Sequence, residues 1–239
     1  MLTGAGISTD SGIPDFRGPN GVWTKDPGAE RLATFEAYVT DPDVRRRAWI
    51  NRRDSPAWSA RPNAGHRALA DLERSGRLAL LVTQNIDGLH LDAGHDPAQL
   101  VEIHGTVREV VCLDCGDRRV MESVLGRVRA GEEDPRCLET RDEVPCHGIL
   151  KSATISFGQS LVAKDIARAE AAAEACDLLL AVGTSLGVYP AAALVPRAAR
   201  FGAAVIIVNG EETPFDDLAD VVLRGSISHV LPAIVGLAG

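Results

Sequence analysis

Short apolar runs along the chain alternate with stretches in which apolar residues recur at helical spacing. The runs at residues 78–82, 177–182, 203–209 and 221–223 have the length of strands. Strands that alternate with helices are typical of a parallel sheet with helices on both faces. The pattern therefore predicts an α/β fold built on a central parallel sheet.

Capping residues indicate where several helices begin and end. Asn63 is suited to cap a helix that ends near Gly76, because an Asn side chain accepts hydrogen bonds from the free N–H groups of the first turn. Pro190 is favoured in the first turn of a helix, and Gly202 is favoured just after the end of one. The other helices are predicted at residues 161–176 and 230–237.

Two stretches interrupt this alternation of strands and helices. Residues 26–61 are charged and rich in Arg, and residues 112–146 are polar, rich in turn-forming residues and contain four cysteines. We interpret both stretches as insertions that form a smaller second domain. The predicted limits are residues 1–25, 74–110 and 149–239 for the sheet domain, 26–73 for the helical insertion and 111–148 for the cysteine module.

Composition and charge narrow the classes of function. A chain of 239 residues that is 45% hydrophobic and 24% charged has the balance of a globular protein of one or two domains. Its net charge of −8 argues against nucleic acid as a partner, because nucleic acid favours a basic surface. No apolar run approaches the roughly 18 residues of a membrane-spanning helix, and no signal sequence opens the chain. We expect a cytoplasmic protein that binds neither nucleic acid nor membranes.

The cysteines indicate a metal site. Five cysteines, an odd number, argue against a disulfide framework in a reducing compartment. Four of them form two pairs, the first with the spacing of a zinc knuckle, and four thiolates satisfy a tetrahedral, structural Zn²⁺. The wider spacing of the second pair leaves His147 open as an alternative ligand, and Cys176 is expected in the core. The candidate ligands are Cys112, Cys115, Cys137 and Cys146.

A glycine-rich loop with Gly4, Ala5, Gly6 and Ser8 follows the first strand-like residues. Backbone without bulky side chains can approach a pyrophosphate at the N-terminus of a helix. The dinucleotide-binding fingerprint is incomplete, because Thr9 occupies the third glycine position. A tight turn without a ligand stays open as an alternative.

The next loop places an acid, an aromatic ring and a guanidinium in a row, at Asp15, Phe16 and Arg17. Glycines and prolines on both sides mark the segment as a loop. An aromatic wall, a cation for phosphate or ribose and a carboxylate for a polar head group are together suited to cover a cofactor. We interpret the segment as a cofactor loop.

Polar side chains follow several predicted strands. Gln84, Asn85 and Asp87 come directly after one strand, although a helix cap at Asn85 or Asp87 is an alternative interpretation. His104 follows another apolar stretch and is a candidate general base. Since ligands bind at the carboxyl ends of parallel strands, these side chains are expected to line one edge of the sheet. The same edge would receive Gly183, Thr184, Ser185 and Asn209.

Taken in order, these motifs resemble those of the sirtuin family, the NAD-dependent protein lysine deacylases. The resemblance implies a Rossmann-like domain and a small domain made of a zinc module and a helical insertion. It also implies NAD as co-substrate and acyl-lysine proteins or peptides as substrates. It covers nearly the whole chain and includes the glycine loop, the cofactor loop, residues 84–87, His104-Gly105, the four cysteines, Phe157-Gly158, Gly183-Thr184-Ser185 and Val208-Asn209.

The resemblance implies roles for individual residues. His104 is implied as the catalytic base, and Asn85 and Asp87 as catalytic residues of the nicotinamide pocket. The implied peptide-binding residues lie on a strand and a loop that clamp an extended peptide, and are Ile155, Phe157, Gly158 and Val188. The implied NAD-binding residues are Gly4, Ala5, Gly6, Ser8, Asp15, Phe16, Arg17, Trp23, Gln84, Asn85, Ile86, Asp87, Gly183, Thr184, Ser185, Asn209 and Ile227.

The reaction that the resemblance implies consumes NAD instead of transferring hydride. The acyl amide oxygen, a poor nucleophile that depends on positioning, displaces nicotinamide at the ribose carbon. His104 accepts a proton from a ribose hydroxyl, which then attacks the acyl carbon. The products are free lysine, nicotinamide and O-acyl-ADP-ribose, with acetyl as the expected acyl group.

Three features depart from the family pattern. The chain begins inside the expected first strand, so we expect the true start upstream. Gln159 stands where many members carry Glu. A Tyr-x-x-Arg pair, found in members that prefer acidic acyl groups, corresponds here to Trp49 and Arg52. Arg52 could pair with a succinyl or malonyl carboxylate; alternatively, Trp49 is a core residue and Arg52 a solvated charge.

Three alternative functions make different predictions for this sequence. Mono-ADP-ribosyl transfer on the same scaffold remains an alternative, because it shares NAD and the site. A short-chain dehydrogenase is excluded, because neither Tyr38 nor Tyr189 is followed by Lys at the required spacing. A non-enzymatic module that only binds NAD or zinc would make His104 dispensable.

Overall fold

The computed structural model describes residues 1–18 and 21–236, and none of the helices among them is long and apolar enough to cross a membrane. The strands are β1 (Leu2–Thr3), β2 (Leu81–Thr83), β3 (Leu100–Glu102), β4 (Gly105–Cys112), β5 (Arg118–Val120), β6 (Thr140–Arg141), β7 (Val144–Pro145), β8 (Leu150–Thr154), β9 (Leu178–Val182), β10 (Ala204–Val208) and β11 (Val221–Leu223). The α-helices are α1 (Val22–Lys25), α2 (Phe35–Thr40), α3 (Pro42–Arg53), α4 (Ala64–Arg74), α5 (Leu89–Asp92), α6 (Met121–Arg129), α7 (Ala163–Ala175), α8 (Leu194–Arg200) and α9 (Ile227–Gly236). Six 3₁₀ segments are described, and they cover Ala5–Ser11, Pro27–Ala33, Pro56–Trp58, Pro97–Gln99, Ala191–Ala193 and Asp216–Leu218.

Six strands form a parallel sheet in the order β11-β10-β9-β1-β2-β3. β1 has two residues but lies in the centre, where Leu2 is opposite Val82 of β2 and Ala181 of β9. The chain leaves β1 toward β2 on one side and returns to β9 on the other. This reversal creates a switch point at the carboxyl ends of the central strands, where open α/β sheets bind ligands.

Helices cover both faces of the parallel sheet. On one face, α7 and α8 contribute Ala169 and Val195 to a buried apolar cluster with the sheet. On the other face, α4 and α9 contribute Leu69 and Leu231 to a second cluster. Side chains alternate along each strand, so a strand that is buried on both faces must be apolar throughout. The predicted α/β fold with helices on both faces is confirmed.

The two insertions share a separate hydrophobic core. β4 pairs antiparallel with β5 and β8, and α6 packs against this small sheet through Met121 and Leu125. Trp49 of α3 is 2% exposed and enters the same core beside Cys112 and Cys137. The predicted small domain of a cysteine module and a helical insertion is confirmed, whereas its exact limits stay predictions.

Element boundaries agree with the capping prediction in α4 and differ elsewhere. Asn63 accepts hydrogen bonds from the amides of Gly65 and His66 at 2.9 and 3.3 Å, and so caps α4 as predicted. β2 is shorter than the predicted strand at residues 78–82. The helix predicted from Pro190 begins with a 3₁₀ turn, and the last helix begins at Ile227, three residues earlier than predicted. The predicted end of that helix, residue 237, lies outside the described residues.

Candidate active site

The glycine loop lies in close backbone contact with the end of β9. The Gly4 amide donates to the Val182 carbonyl at 3.0 Å, and the Gly6 amide donates to the Gly183 carbonyl at 2.8 Å. A Cβ atom at Gly4 would lie 2.7 Å from Cβ of Thr184, and one at Gly6 would lie 2.8 Å from Cα of Gly183. Only glycine allows the two loops to approach this closely, and bare backbone suits a pyrophosphate.

Three polar side chains from the glycine loop and the loop after β2 form a buried network. Nδ2 of Asn85 donates to Oγ of Ser8 at 3.1 Å and to the Gly4 carbonyl at 3.1 Å. Oγ of Ser8 in turn donates to Oδ2 of Asp87 at 2.8 Å. Buried polar groups are costly without such partners, so the network fixes the direction of each side chain.

Asp87 is a buried carboxyl at the centre of this network. Its Oδ1 accepts the Leu89 amide at 2.9 Å. Burial raises the pKa of Asp87, while the Leu89 amide, the Ser8 hydroxyl and the charge of Arg108 lower it. Its charge state therefore depends on the groups around it, a property that is common in functional sites.

His104 lies after β3 at the same edge of the sheet. Its Nδ1 lies 3.0 Å from the Gln84 carbonyl oxygen, which only accepts, so Nδ1 carries the proton and Nε2 keeps its lone pair. Burial lowers the pKa of His104, and the bond to Gln84 raises it. Nε2 of Gln84 donates to Oγ1 of Thr184 at 2.9 Å. His104 is thus an oriented imidazole with a basic nitrogen.

An aromatic chain joins the cofactor loop to the segment after β8. The ring of Trp23 lies 4.8 Å from the ring of Phe16 and 5.6 Å from the ring of Phe157, and the guanidinium of Arg17 lies 5.2 Å from Trp23. Oδ1 of Asp15 accepts the Gly18 amide at 2.9 Å, which closes the loop. Phe16 and Phe157 remain 43% and 41% exposed, so both rings are accessible to solvent.

The four cysteines of the small domain converge on one point. Their Sγ atoms all lie within 4.8 Å of one another, and the pairs Cys112–Cys146 and Cys115–Cys137 are each 3.7 Å apart. A tetrahedron of Zn–S bonds about 2.3 Å long has S–S edges of about 3.8 Å. The cluster therefore fits Zn²⁺. His147 is exposed and stands outside the cluster, so Cys146 and not His147 completes the set.

Comparison with known proteins decides the family. The model of the Sir2 family matches residues 4–190. A relative from Streptomyces coelicolor, "NAD-dependent protein deacetylase 2", is 52% identical over 235 residues, which cover 98% of this chain and 95% of the relative. The chain belongs to the Sir2 family.

Solved Sir2 structures share the fold. A Sir2 structure with a deacetylated p53 peptide and 3′-O-acetyl ADP ribose is similar to this chain with a TM-score of 0.88 and 33% sequence identity. The match covers 99% of this chain and 91% of the chain in that structure. Another Sir2 structure, with a p53 peptide and NAD+, has a TM-score of 0.86 and 32% sequence identity. That match covers 100% of this chain and 92% of the chain in that structure. The resemblance inferred from the motifs is confirmed.

The residues expected on the adenosine side of this Sir2 protein come to the same edge of the sheet. Ser185 is exposed after the end of β9. Asn209 follows β10 and donates to the Glu211 carbonyl at 2.8 Å. A Cβ atom at Gly183 would lie 2.9 Å from Cδ1 of Ile227, so the Ile227 side chain lies directly beside the loop that follows β9.

The residues expected to bind the peptide lie on two segments. Phe157 exchanges backbone hydrogen bonds of 2.9 Å with Ala33 and Phe35, and the Ile155 amide donates to the His104 carbonyl at 2.8 Å. Gly158 follows Phe157, and Val188 lies after the end of β9 with its carbonyl bonded to the Ala192 amide at 2.9 Å. The backbone bond at Ile155 connects the segment that carries Phe157 directly to His104.

The structure places the two residues of the predicted acyl-selecting pair in different surroundings. Trp49 lies in the core of the small domain, which corresponds to the alternative of a core residue, so it does not line a substrate site. Arg52 is not the solvated charge of the alternative interpretation, because its guanidinium is hydrogen-bonded within the small domain. Its Nη2 donates to Oγ of Ser152 on β8 at 2.8 Å, and its carbonyl accepts Nε1 of Trp58 at 2.6 Å.

Sequence reasoning missed two residues that touch the network of this Sir2 protein. Nε2 of His66 lies 3.5 Å from Oγ of Ser8, and Nε of Arg108 donates to the Asp87 carbonyl at 3.1 Å. His66 also closes the capping box of α4 with Asn63. The Asn-x-x-His spacing was the available signal for His66. Arg108 lies inside a strand of charged and apolar residues, and nothing local distinguishes it.

Proposed function

We infer that this protein is an NAD-dependent protein lysine deacetylase. The observation that carries the inference is the meeting of two groups at one sheet edge: the Ser8–Asn85–Asp87 network and the oriented imidazole of His104. The first is suited to hold a polar amide, and the second is suited to accept a proton. The deacetylase activity of the relatives agrees with this arrangement.

NAD fits the residues that line the sheet edge. The contact between Gly4, Gly6 and Gly183 leaves bare backbone where a pyrophosphate would lie. Thr184, Ser185, Asn209 and Ile227 lie beyond it, on the side suited to adenosine. When bound, NAD supplies an electrophilic ribose carbon from which nicotinamide departs.

The residues of the network and His104 have separate roles in the reaction. Asn85 and Asp87 bind the nicotinamide amide, with Ser8 and Gly4 holding their side chains in place. Phe16 of the cofactor loop and Trp23 of α1 exclude water from the pocket. His104 accepts a proton from a ribose hydroxyl at Nε2, because its Nδ1 proton is held by the Gln84 carbonyl.

The substrate partner is an acetylated lysine in an extended peptide. Ile155, Phe157 and Gly158 supply one rim of its binding groove and Val188 supplies the other, and the two rims clamp the extended peptide between them. A net charge of −8 suits lysine-rich substrates.

Zinc in the cysteine cluster has a structural role. Four protein thiolates leave no open position for a substrate or water. Reduced thiols of this kind fit a reducing compartment such as the cytoplasm.

A second acyl class is favoured by one specific observation. Nη2 of Arg52 donates to Ser152, and Nζ of Lys151 donates to the Thr154 carbonyl, at 2.8 and 2.5 Å. Burial and the charge of Arg52 lower the pKa of Lys151 to about 7. Lys151 is therefore only partly charged near neutral pH, and within the part of the chain that the structure describes the Arg52 guanidinium pairs with no carboxylate. A succinyl or malonyl carboxylate would supply the missing negative charge.

The test is a panel of peptides that carry acetyl-, succinyl- or longer acyl-lysine, incubated with and without NAD and analysed by mass spectrometry. We expect NAD-dependent loss of acetyl with formation of O-acetyl-ADP-ribose, and no turnover by His104→Ala. His229→Ala, which changes a histidine at the start of α9, is the matched control. Turnover that survives in His104→Ala would refute the role of His104, and modified protein in place of O-acetyl-ADP-ribose would indicate ADP-ribosyl transfer. Succinyl loss that Arg52→Met abolishes would assign the second class.

A further inference from the structure

The turn that carries Asp87 is held from the side by β4. Nε of Arg108 donates to the Asp87 carbonyl oxygen at 3.1 Å. The adjacent Val107 donates its amide to the Ile86 carbonyl at 2.9 Å. Two consecutive residues of the small sheet therefore bind two consecutive residues of the loop after β2.

The guanidinium of Arg108 is directed toward this turn by two further contacts. Its Nη2 lies 2.5 Å from Oδ2 of Asp92 on α5. A Cβ atom at Gly88 would lie 2.8 Å from Nε of Arg108, so the guanidinium fills the space beside Gly88. The ion pair with Asp92 is partly exposed and adds little stability by itself. Its effect is to orient Nε toward Asp87.

The bonds of Asp87 are divided between its side chain and its backbone. The two carboxyl oxygens accept from Ser8 and Leu89, whereas the carbonyl accepts from Arg108. We propose that Arg108 is a positioning residue, which holds Asp87 in the orientation that the nicotinamide step requires. This proposal rests on the proposed function, in which Asp87 binds the nicotinamide amide.

The charge of Arg108 also affects Asp87, in addition to the hydrogen bond to its carbonyl. It lowers the pKa of Asp87, against burial and the charge of Asp92. Glu102 faces the same group, and burial and Asp87 raise its pKa to about 7, while Arg108 lowers it. His66 contacts the same network through Ser8, with its Nε2 3.5 Å from Oγ of Ser8. Loss of the Arg108 charge should raise the pKa of Asp87, so the acid limb of kcat/KM for NAD should move to higher pH.

The experiment compares the full-length protein with Arg108→Gln, Arg108→Lys and the control Arg118→Gln. Arg118 forms an ion pair of the same small sheet, with Glu109 at 2.5 Å, and lies on β5, away from the loop after β2. The measurements are deacetylation of an acetyl-lysine peptide, exchange of labelled nicotinamide into NAD, and binding of ADP-ribose, which lacks nicotinamide. The pH profile of kcat/KM for NAD and an NMR titration of the Asp87 carboxyl complete the set.

We expect Arg108→Gln to lower kcat/KM for NAD and nicotinamide exchange about tenfold to hundredfold, the range for loss of a hydrogen bond from a charged group. Its affinity for ADP-ribose should stay within about twofold of the parent, because only the nicotinamide step is affected. Arg108→Lys should recover the pH profile but not the full rate, since it restores charge without the directed Nε bond. Arg118→Gln should match the parent.

Two results would overturn the positioning role. One is an Arg108→Gln variant with parental exchange and an unchanged pH profile. The other is equal loss of ADP-ribose binding and exchange in both Arg108 variants, which would indicate a general structural role. A parent protein without NAD-dependent activity would instead overturn the proposed function. In that case the NMR titration still decides, because an Asp87 pKa that is equal in parent and Arg108→Gln refutes the action of Arg108 on this residue.

Discussion

Replacement of Gly105 by Ala should damage both stability and activity, because this position accepts no side chain. Gly105 directly follows His104 and has a φ of +74°. A Cβ atom there would lie 2.1 Å from the Ala153 carbonyl oxygen on β8. The backbone conformation and the available space therefore both oppose the substitution.

The expected magnitude combines these two effects. A left-handed conformation costs a non-glycine residue about 1–2 kcal/mol. Relief of the overlap requires β4 to move away from β8, and overpacking of this kind costs about 1–3 kcal/mol. We expect the free energy of unfolding to fall by about 2–5 kcal/mol in total. The same movement displaces His104, and a displacement of about 1 Å lowers kcat/KM on the order of 100-fold.

The matched control is Gly76→Ala. Gly76 has a φ of +73°, but a Cβ atom there would point into open space, with no neighbouring group within 4 Å, so this variant isolates the backbone cost. Urea-induced unfolding and the rate of peptide deacetylation would be measured for both variants. Equal destabilisation by the two substitutions, or parental activity in Gly105→Ala, would refute the argument that contact with Ala153 sets the position of His104.

Three further predictions concern zinc, pH and the buried network. Removal of zinc by a chelator, or Cys137→Ser, should shift the tryptophan fluorescence to longer wavelength, because Trp49 and Trp58 pack in the same core as Cys137; unchanged emission after zinc loss would contradict this. Burial lowers the pKa of His66 to about 4, so the unfolded chain binds an extra proton below its own pKa of about 6.5. Through His66, the free energy of unfolding should therefore fall by up to about 3 kcal/mol between pH 6.5 and pH 4. In urea titrations, His66→Gln should remove this part of the pH dependence, whereas the part due to His90, whose pKa burial also lowers, should remain. Ser8→Ala should destabilise the protein by about 1–3 kcal/mol, since Asn85 and Asp87 each lose a buried partner, and parental stability in thermal unfolding would contradict it.

At the metal centre, the spacing of the cysteines predicts the site but not all of its ligands. The spacing of Cys112 and Cys115 predicted a zinc knuckle, because two residues between ligands suit a tight turn around one ion. The same reasoning left His147 open as a ligand. The fold resolves this choice, since it brings Sγ of Cys146 to 3.7 Å from Sγ of Cys112 and leaves His147 exposed.

Local stretches of the chain were sufficient to predict the parallel sheet, the helix cap at Asn63 and the polar groups at the strand ends. These features depend on periodicity and on short-range hydrogen bonds, which neighbouring residues specify. Strand lengths were less certain, as in β2, because pairing with neighbours decides where a strand begins.

Contacts between distant residues follow from tertiary packing and not from the local pattern. Ser8 and His66 lie 58 residues apart in the chain, and Asp87 and Arg108 lie 21 apart, yet each pair is in contact. Trp49 fills the core of the small domain instead of lining a substrate site. The physical reason is that such contacts depend on how separate elements pack, and a short stretch of sequence carries no record of its partner.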